Sequence, residues 1–376
     1  MPKRIIIDKY ISGFWATIFF PLEWLLGKLP TSEPTKLAII RFDQLGDFLV
    51  NRVVVDSLKC TQRILLIVNT SVQNLAAIVY PDLEILAVDL PRFRHNPLYR
   101  LRTLFIIRCH GIRTIIHPVY SRHHFITDAE AVLRSTYTKN KIGFYGEDGY
   151  NGVLLLSRLT GVFYSQLVNT DKLFDGDKAK DLVTALGIKI VSQTEHTNYA
   201  SPNSPIVIIP KPTSTLREWP MKNWITTIEF LLKYTSNPIV MCGEVPNEYS
   251  RGISSHFNEK IIDLSGKTTL SEFMMRLETS SLCIGIEGGG IHIAAYHNVK
   301  TIVIAGGGHW GRFLPYPNND TLVVANHTMP CYGCRWKCIY SGEEKGKCVS
   351  EISAEKIISI IKGVPLNWKK NIHTYS

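Results

Sequence analysis

The chain has 376 residues, of which 45% are hydrophobic and 20% are charged, an ordinary globular composition that excludes disordered, collagen-like and coiled-coil classes. Its length predicts two or three domains. The 42 Lys and Arg residues outnumber the 32 Asp and Glu residues, for a formal net charge of +10, which favours an anionic partner such as a phosphorylated ligand, an acidic polysaccharide, a membrane surface or nucleic acid.

Residues 1–35 are predicted to be an N-terminal apolar segment followed by a linker. The stretch from Ile11 to Leu29 is the most apolar in the chain, but Pro21 and Glu23 interrupt it. It is too short for a conventional spanning helix, and the residues that follow it do not fit a signal-peptide cleavage site. Two interpretations stay open, an amphipathic segment at a membrane interface and a helix packed on the protein itself.

Residues 36–198 are predicted to form a first Rossmann-like domain. Lys36–Arg41 and Arg63–Asn69 have the character of buried parallel strands, each followed by a helical pattern, and Leu83–Val88 and Thr114–His117 are further short strands. Strand–loop–helix repetition of this kind implies a parallel sheet that is covered on both faces.

The pattern restarts after a polar stretch, and residues 199–376 are predicted to form a second Rossmann-like domain. The predicted strands cover residues 206–209, 238–242, 261–264, 282–286 and 301–305, and the predicted helices cover 224–232, 270–278 and 291–297. The fold class is therefore α/β with two doubly wound domains. Ligands of such sheets bind beyond the carboxyl ends of the strands, so we expect the site in a cleft between the domains.

The first candidate site follows the first predicted strand, from Arg41 to Asp47. Gly46 allows a tight turn there. Asp47 would lie in the first turn of the next helix, where a carboxylate serves either as a helix cap or as a general base.

The second candidate site, Lys211 to Pro220, lies between a strand and a helix of the second domain. Hydroxyls, backbone N–H groups and cations at such a junction suit a phosphate, and a solvated loop is the alternative. The side chains that carry this interpretation are Lys211, Thr213, Ser214, Thr215 and Arg217.

The third candidate site, Glu287 to His292, is another predicted strand-to-helix junction. Gly288, Gly289 and Gly290 remove every Cβ, so a phosphate can approach the backbone and the helix N-terminus. A packing turn with His292 in the core is the alternative. The spacing is not that of a dinucleotide fingerprint and no Walker motif is present in the sequence, so a nicotinamide oxidoreductase has little support.

A cluster of four cysteines, Cys331, Cys334, Cys338 and Cys348, falls within 18 residues. Clustered thiols suggest a tetrahedral zinc or iron site, and free thiols or a disulfide are the alternatives. Four thiolates leave no open coordination position, so the metal would be structural. The other four cysteines are predicted to be inert core residues, and they are Cys60, Cys109, Cys242 and Cys283.

A basic run extends from Leu90 to Thr127, where no Asp or Glu occurs. A solvated charged surface is the ordinary interpretation, but seven arginines without an acid also suggest a phosphate-bearing acceptor. No recognised motif supports nucleic acid as the partner. The arginines are Arg92, Arg94, Arg100, Arg102, Arg108, Arg113 and Arg122, and Arg122 is the one expected to reach the cleft.

Taken together, these segments resemble glycosyltransferase family 9, the ADP-heptose:lipopolysaccharide heptosyltransferases, over most of the chain from Lys36 onward. The resemblance implies the GT-B fold, in which two Rossmann-like domains face a cleft and hold the acceptor and the nucleotide sugar respectively. It also implies an inverting transfer that needs no catalytic metal. The segments that carry it are Ile39–Asp47, Ile206–Pro220, Asp263–Thr268, Glu287–Ala295 and Ile352–Ile357.

The resemblance also implies roles for individual residues. Asp47 matches the proposed general base of the family, and Arg217 matches a basic residue, usually Lys, that neutralises the departing diphosphate. Glu248, which follows Gly243, matches a ribose-binding carboxylate, and His292 matches a histidine near the phosphates. Thr213, Ser214 and the backbone of Gly289 and Gly290 would supply further donors.

Two departures from the family pattern concern the substrates. Glu287-Gly288-Gly289 stands where the family usually has Asp-Ser/Thr-Gly. That Asp contacts sugar hydroxyls, so the longer Glu side chain bears on which sugar the donor carries. Arg52 stands near a position where the family usually has small residues and Pro, which points to an altered acceptor side.

The sequence therefore predicts a membrane-peripheral, inverting glycosyltransferase on the cytoplasmic face of a bacterial inner membrane. Its donor would be an ADP-heptose or related ADP-sugar, and its acceptor an anionic glycan or glycolipid of the lipopolysaccharide type. One alternative is a GT-B transferase that uses another nucleotide sugar on a capsule or protein acceptor. The other is a catalytically inactive sugar-nucleotide-binding protein.

Overall fold

The computed structural model describes residues 18–29, 35–120, 126–146, 161–191, 198–212, 214–244 and 246–369. The chain divides into two compact units, Met1–Gln193 and Thr194–Ser376. Each unit contains one six-stranded sheet.

The first unit holds strands β1 to β6 and helices α1 to α8. The sheet order is β3-β2-β1-β4-β5-β6, and all pairs are parallel. The strands are β1 (Lys36–Arg41), β2 (Ile64–Asn69), β3 (Glu84–Val88), β4 (Ile112–His117), β5 (Asn140–Phe144) and β6 (Gln166–Val168). The helices are α1 (residues 18–26), α2 (Leu45–Val50), α3 (Val53–Leu58), α4 (Gln73–Val79), α5 (Leu90–His95), α6 (Pro97–Cys109), α7 (Ile126–Ser135) and α8 (Asp175–Ala185).

The second unit holds strands β7 to β12 and helices α9 to α14. The sheet order is β12-β11-β10-β7-β8-β9, and all pairs are again parallel. The strands are β7 (Ile206–Ile209), β8 (Ile239–Met241), β9 (Ile262–Asp263), β10 (Leu282–Ile286), β11 (Thr301–Ile304) and β12 (Leu322–Ala325). The helices are α9 (Met221–Tyr234), α10 (Glu248–Phe257), α11 (Leu270–Glu278), α12 (Gly289–Tyr296), α13 (Lys347–Ser350) and α14 (Ala354–Lys362).

The two sheets share one topology, because each places its first and fourth strands side by side at the centre. This is the classical doubly wound order, and the two directions of winding meet between β1 and β4 in the first unit and between β7 and β10 in the second. The α/β prediction of two doubly wound units is confirmed. Ligand sites in such sheets form at this switch point, beyond the carboxyl ends of the two central strands.

The central strands are buried on both faces, which explains why they could be recognised as continuous apolar runs. All residues of β2, β7, β10 and β11 are buried. Strands β5, β6 and β12 were not predicted. They are three to five residues long, and each has exposed or half-buried residues, so their local pattern is weak.

Helix α1 contains Pro21 and Glu23, the two residues that interrupt the apolar stretch. The helix runs through both residues, and Glu23 is fully buried. Its carboxylate accepts hydrogen bonds from Arg100 Nε at 2.6 Å and Arg134 Nε at 3.1 Å. A buried carboxylate between two guanidinium groups therefore attaches the helix to the first unit.

Three of the seven arginines of the basic run make contacts inside the first unit, whereas Arg92, Arg102 and Arg113 are exposed. Besides Arg100, Arg94 binds the buried Asp128 at 2.6 Å, and Arg108 donates to the carbonyl of Leu29. The prediction for the isolated cysteines is wrong for Cys60 and Cys109, which are exposed; Cys60 lies two residues after α3, and Cys109 is the last residue of α6.

Candidate active site

In the first unit, Arg41 fixes the turn that leads from β1 into α2. Its fully buried guanidinium binds both carboxylate oxygens of Asp43, at 2.6 Å for the closest pair. The same group donates to the backbone carbonyls of Asp47 at 2.9 Å and Asn51 at 3.3 Å. One buried cation therefore holds both ends of the turn.

Asp47 is the third residue of α2 and lies at the carboxyl edge of the sheet, half-buried. The N-cap is Gln44, so the interpretation of Asp47 as the cap residue is wrong. Gly46 precedes it in the same first turn. A carboxylate in this position is stabilised by the helix dipole and lies beside the switch point of the first sheet.

Arg52 is placed differently from the expectation. It is buried, and its guanidinium donates to Asp56 at 3.3 Å, while Tyr80 donates to the same carboxylate at 2.9 Å. This arrangement gives Arg52 a structural role within the first unit, so we omit it from the acceptor site. Arg122 and Thr213 lie outside the described residues.

In the second unit, Arg217 ends a short 3₁₀ turn, Thr215–Arg217, that follows β7. Ser214 caps this turn by accepting the N–H of Leu216 at 3.3 Å. Trp219 anchors the chain immediately afterwards, because its buried indole donates to the carbonyl of Ile352 and packs edge-on against Trp224 at 4.9 Å. The hydroxyl-rich turn is therefore held against the core by the Trp-Pro step that follows it.

Arg217 joins the two predicted phosphate motifs. Its guanidinium donates to the backbone carbonyl of Glu287 at 3.4 Å, at the end of β10. The guanidinium also contacts Trp336, whose ring centroid lies 4.3 Å from the central carbon of the guanidinium. Among the described residues no acceptor satisfies the buried Nε of Arg217. A half-buried cation whose buried Nε lacks an acceptor favours an anionic ligand.

The three glycines after β10 have different roles. Gly288 is the N-cap of α12, and Gly289 is its first residue. Gly290 faces the interior, since a Cβ there would lie 3.0 Å from Ile209 and 3.3 Å from Phe273. Packing of α12 on β7 therefore accounts for Gly290, and the N-terminus of α12 at Gly289 is left as the part that suits a phosphate.

Burial controls the charges beside this helix terminus. Burial raises the pKa of Glu287 to about 7, although the positive Arg217 lowers it. Burial lowers the pKa of His292 to about 4, and Arg217 acts in the same direction. His292 is therefore neutral at pH 7, and its Nδ1 lies 2.8 Å from the hydroxyl of Tyr316.

Sequence reasoning missed a second glycine run, Gly306 to Gly308, which follows β11. A Cβ at Gly307 would overlap the ring of Tyr332, and a Cβ at Gly308 would overlap the ring of Trp336. The backbone N–H groups of Gly333 and Arg335 donate to the carbonyls of these two glycines at 2.7 Å. Because these glycines lack side chains, the cysteine-rich segment, residues 331–348, can pack against the end of the sheet. Three glycines directly after a predicted strand were the available signal.

Two arginines that the sequence analysis did not single out, Arg312 and Arg335, add positive charge at this edge of the sheet. Burial lowers the pKa of His309 to about 4, reinforced by the positive charges of Arg312, Arg217 and Arg335. The positive charges of three arginines therefore help to keep His309 neutral at this edge of the second sheet.

The remaining predicted residues line the other half of the same edge. Gly243 follows β8 with φ of +153°, a conformation that favours glycine. Glu248 is the exposed first residue of α10. Lys211, directly after β7, lies 3.6 Å from the carboxylate of Glu244. The structure therefore brings Arg217, Glu287 and His292 together, with Glu248 at the start of the helix that follows the neighbouring strand β8.

The four clustered cysteines line one small cavity together with Leu216, Met329 and Trp336. Cys348 is buried and the other three are half-buried. Burial raises the pKa of Cys334 and Cys348, and the neighbouring cysteines act in the same direction. In the described part of the chain, no three His, Cys, Asp or Glu side chains stand in positions that would hold a metal ion.

Comparison with known proteins identifies one family. The model of glycosyltransferase family 9 (heptosyltransferase) matches residues 139–340, more than half of the chain. Lipooligosaccharide heptosyltransferase 2 of Campylobacter jejuni is 28% identical over 116 residues, which are 31% of this chain and 34% of that relative. The match thus spans about a third of the curated relative's length.

Two solved structures share the fold. E. coli heptosyltransferase WaaC with ADP-2-deoxy-2-fluoro heptose has a TM-score of 0.65 at 13% identity, with 87% of this chain and 99% of that chain covered. The iron-containing dodecameric glycosyltransferase TibC from enterotoxigenic E. coli H10407 has a TM-score of 0.54 at 15% identity, with 89% and 77% covered. These likenesses confirm the predicted pair of Rossmann-like units, the GT-B class.

Proposed function

Because the chain belongs to glycosyltransferase family 9, we propose that it transfers a heptose or a related sugar from an ADP-sugar to a glycan acceptor of the lipopolysaccharide type. The observation that carries this proposal is Arg217, a partly buried cation with an unsatisfied Nε that joins the ends of β7 and β10. The ADP-sugar analogue in the WaaC structure supports the choice of donor.

The donor diphosphate would bind at the carboxyl edge of the second sheet. Arg217 supplies the charge, and Ser214, Thr215 and the N-terminus of α12 at Gly289 supply hydrogen-bond donors. Glu248 would bind the ribose hydroxyls. His292 stays neutral at pH 7 because burial lowers its pKa to about 4, so it would serve as a hydrogen-bonding group beside the phosphates.

Asp47 would act as the general base of an inverting displacement. The acceptor hydroxyl transfers its proton to the Asp47 carboxylate while its oxygen forms a bond to the anomeric carbon. The bond from that carbon to the diphosphate oxygen breaks on the opposite side, and ADP leaves with the electron pair. Arg217 stabilises the negative charge that develops on the diphosphate.

We infer that side-chain cations stabilise the departing diphosphate in place of a catalytic metal, since three arginines place positive charge beside His309 at the carboxyl edge of the second sheet. A structural metal is a separate inference. Four cysteines converge on one cavity, and their thiols suit zinc or iron. The iron in TibC is a property of that protein, and it guides the choice of metals to test.

We also infer peripheral contact with a membrane through α1. Within the described residues no helix has the length and hydropathy needed to cross a bilayer. Six large apolar side chains between Ile18 and Leu29 are nevertheless substantially exposed.

The test is a two-stage binding and transfer experiment. A thermal-shift panel of ADP-, UDP- and GDP-sugars should show stabilisation by ADP-sugars alone, because a ligand that binds only the folded state raises its stability. The stabilising ADP-sugar should then release ADP only when a deacylated lipopolysaccharide core acceptor is added. Preference for a uridine or guanosine donor would contradict the donor assignment, and binding without ADP release would indicate an inactive sugar-nucleotide-binding protein.

A further inference from the structure

Helix α1 is a fixed part of the first unit. Glu23 binds Arg100 of α6 and Arg134 of α7, and all three side chains are buried. Gly27 lies so close to α7 that a Cβ would overlap the carbonyl oxygen of Arg134. The helix is therefore held in one orientation, and its other faces are presented outward.

Two of these outward faces differ in character. Ile18, Leu22 and Leu25 follow helical spacing on α1, Leu29 continues their line just beyond its end, and each of the four is about half exposed (47–52%). Phe20, Trp24 and Lys28 form the adjacent stripe and line a pocket against the body of the unit. An aliphatic face beside an aromatic and basic stripe is the composition of a helix that lies in a membrane interface.

The pocket beside α1 is strongly basic. Five of its thirteen lining residues are Lys or Arg and none is Asp or Glu. Arg134 shares the Glu23 carboxylate with Arg100, and no carboxylate in the described part of the chain pairs with the other four, which are Lys28, Arg113, Lys139 and Lys141. Burial and the positive charges of Lys28 and Arg134 lower the pKa of Lys141 to about 8. A bound anion would relieve this repulsion.

The pocket is separate from the candidate active site. Lys139 and Lys141 flank the start of β5, Arg113 lies at the start of β4, and Phe163 precedes β6. The pocket is therefore at the amino-terminal edge of the sheet, whereas Asp47 is at the carboxyl edge. Since the strands are parallel, these are opposite edges.

We propose that this pocket binds the phosphate of an anionic phospholipid headgroup while the aliphatic face of α1 enters the bilayer interface. The proposal rests on the proposed function for the membrane location and adds a defined lipid site to it. A lipid phosphate would supply the anionic acceptor that the lining of this pocket lacks, and the acyl region would meet Ile18, Leu22, Leu25 and Leu29. An acidic protein would satisfy the cations but would leave the aliphatic face without an apolar partner.

The test measures binding of the full chain to phosphatidylcholine vesicles with and without phosphatidylglycerol. The pocket variant R113Q/K139Q changes two exposed residues, and it should weaken binding to the anionic vesicles about tenfold or more, because each basic residue near such a surface contributes about fivefold. The face variant L22S/L25S should also release the protein. The control K172Q/K222Q removes the same charge from exposed lysines outside the pocket and should bind within about twofold of wild type.

Three results would overturn the proposal. They are equal binding to both vesicle types, equal losses in the pocket variant and the control, and displacement by inorganic phosphate at the lipid-phosphate concentration. Self-association that L22S/L25S abolishes, without vesicle binding, would assign the face to a second copy of the chain and also overturn it. Transfer to a water-soluble acceptor should be unchanged in all variants. Vesicle binding without any transfer would contradict the proposed function alone.

Discussion

The guanidinium of Arg217 lies over the indole of Trp336, with its central carbon 4.3 Å from the ring centroid. Trp336 belongs to the cysteine-rich segment, and its ring can pack on the backbone of Gly308 because Gly308 has no side chain. The segment that carries the clustered thiols therefore also supports the cation proposed to bind the donor diphosphate.

The contact between Arg217 and Trp336 predicts that Trp336 positions the phosphate-binding cation. Trp336→Leu should raise the Kd for ADP about two- to thirtyfold, the range expected for loss of a cation–π contact. Trp336→Phe should recover much of the affinity, because the indole N–H has no hydrogen-bond partner among the described residues. Isothermal titration with ADP measures both variants.

A double-mutant cycle provides the control for this prediction. Arg217→Ala should weaken ADP binding more than Trp336→Leu, and the double variant should bind no more weakly than Arg217→Ala alone. Gly308→Ala should reproduce the Trp336→Leu effect by displacing the ring, whereas Gly363→Ala, whose Cβ would meet only the Ile360 carbonyl at 3.5 Å, should not. Additive losses would show that Trp336 acts independently of Arg217.

The turn after β1 predicts different consequences for its two aspartates. Asp47→Asn should lower kcat about 10²–10⁴-fold, as expected for loss of a general base, with donor affinity and melting temperature unchanged. Asp43→Asn should destabilise the first unit by about 3 kcal/mol, because the fully buried Arg41 loses its charged partner. Steady-state kinetics and urea unfolding of both variants distinguish catalysis from structure, and near-normal turnover by Asp47→Asn would exclude the base assignment.

Burial of Glu287 predicts a pH-dependent stability. Its pKa is raised from 4.5 to about 7, so between these values the native state binds more protons than the unfolded state, and the free energy of unfolding falls as pH rises. Glu287→Gln should therefore stabilise the protein at pH 8 by roughly 2–4 kcal/mol more than at pH 5. His292 and His309, whose pKa values are lowered, make stability rise with pH. Their contribution cancels when the free energy of unfolding in urea is compared between variant and wild type at each pH. An equal effect at both pH values would contradict the raised pKa.

The clustering of four cysteines predicts a structural metal, which would have to draw the thiols together, because no three of them stand in ligating positions in the described part of the chain. Elemental analysis of protein purified without chelator should find about one zinc or iron per chain, and Cys334→Ser should lose the metal and lower the melting temperature of the second unit. Cys109→Ser is the matched control, since Cys109 is exposed on α6. Metal-free wild type with four freely titrating thiols in the cluster would contradict this prediction.

The sequence by itself determined the architecture and the positions of the motifs that follow the strands. Central strands of a parallel sheet are buried on both faces, so β1, β2, β7, β10 and β11 were recognisable as uninterrupted apolar runs. The motifs at Asp47, Arg217 and Glu287 were recognisable because each directly follows a strand, and the carboxyl ends of parallel strands lie at one edge of their sheet. Each of these patterns involves residues that are neighbours in the sequence, so it can be recognised without the fold.

Only the tertiary structure decided which partner each charge meets. Glu23 interrupts an apolar segment of the sequence, and only the fold brings two arginines from other helices to it and makes it the buried attachment of α1. Arg52 was expected to face the acceptor, but Asp56 and the packing of α3 take it into the interior. Burying a charge is unfavourable unless it is paired, and the pairs form between residues distant in sequence. The contact of Trp336 with Arg217 depends in the same way on the folded chain, because the glycines that admit the ring lie on a different strand end from the arginine that it supports.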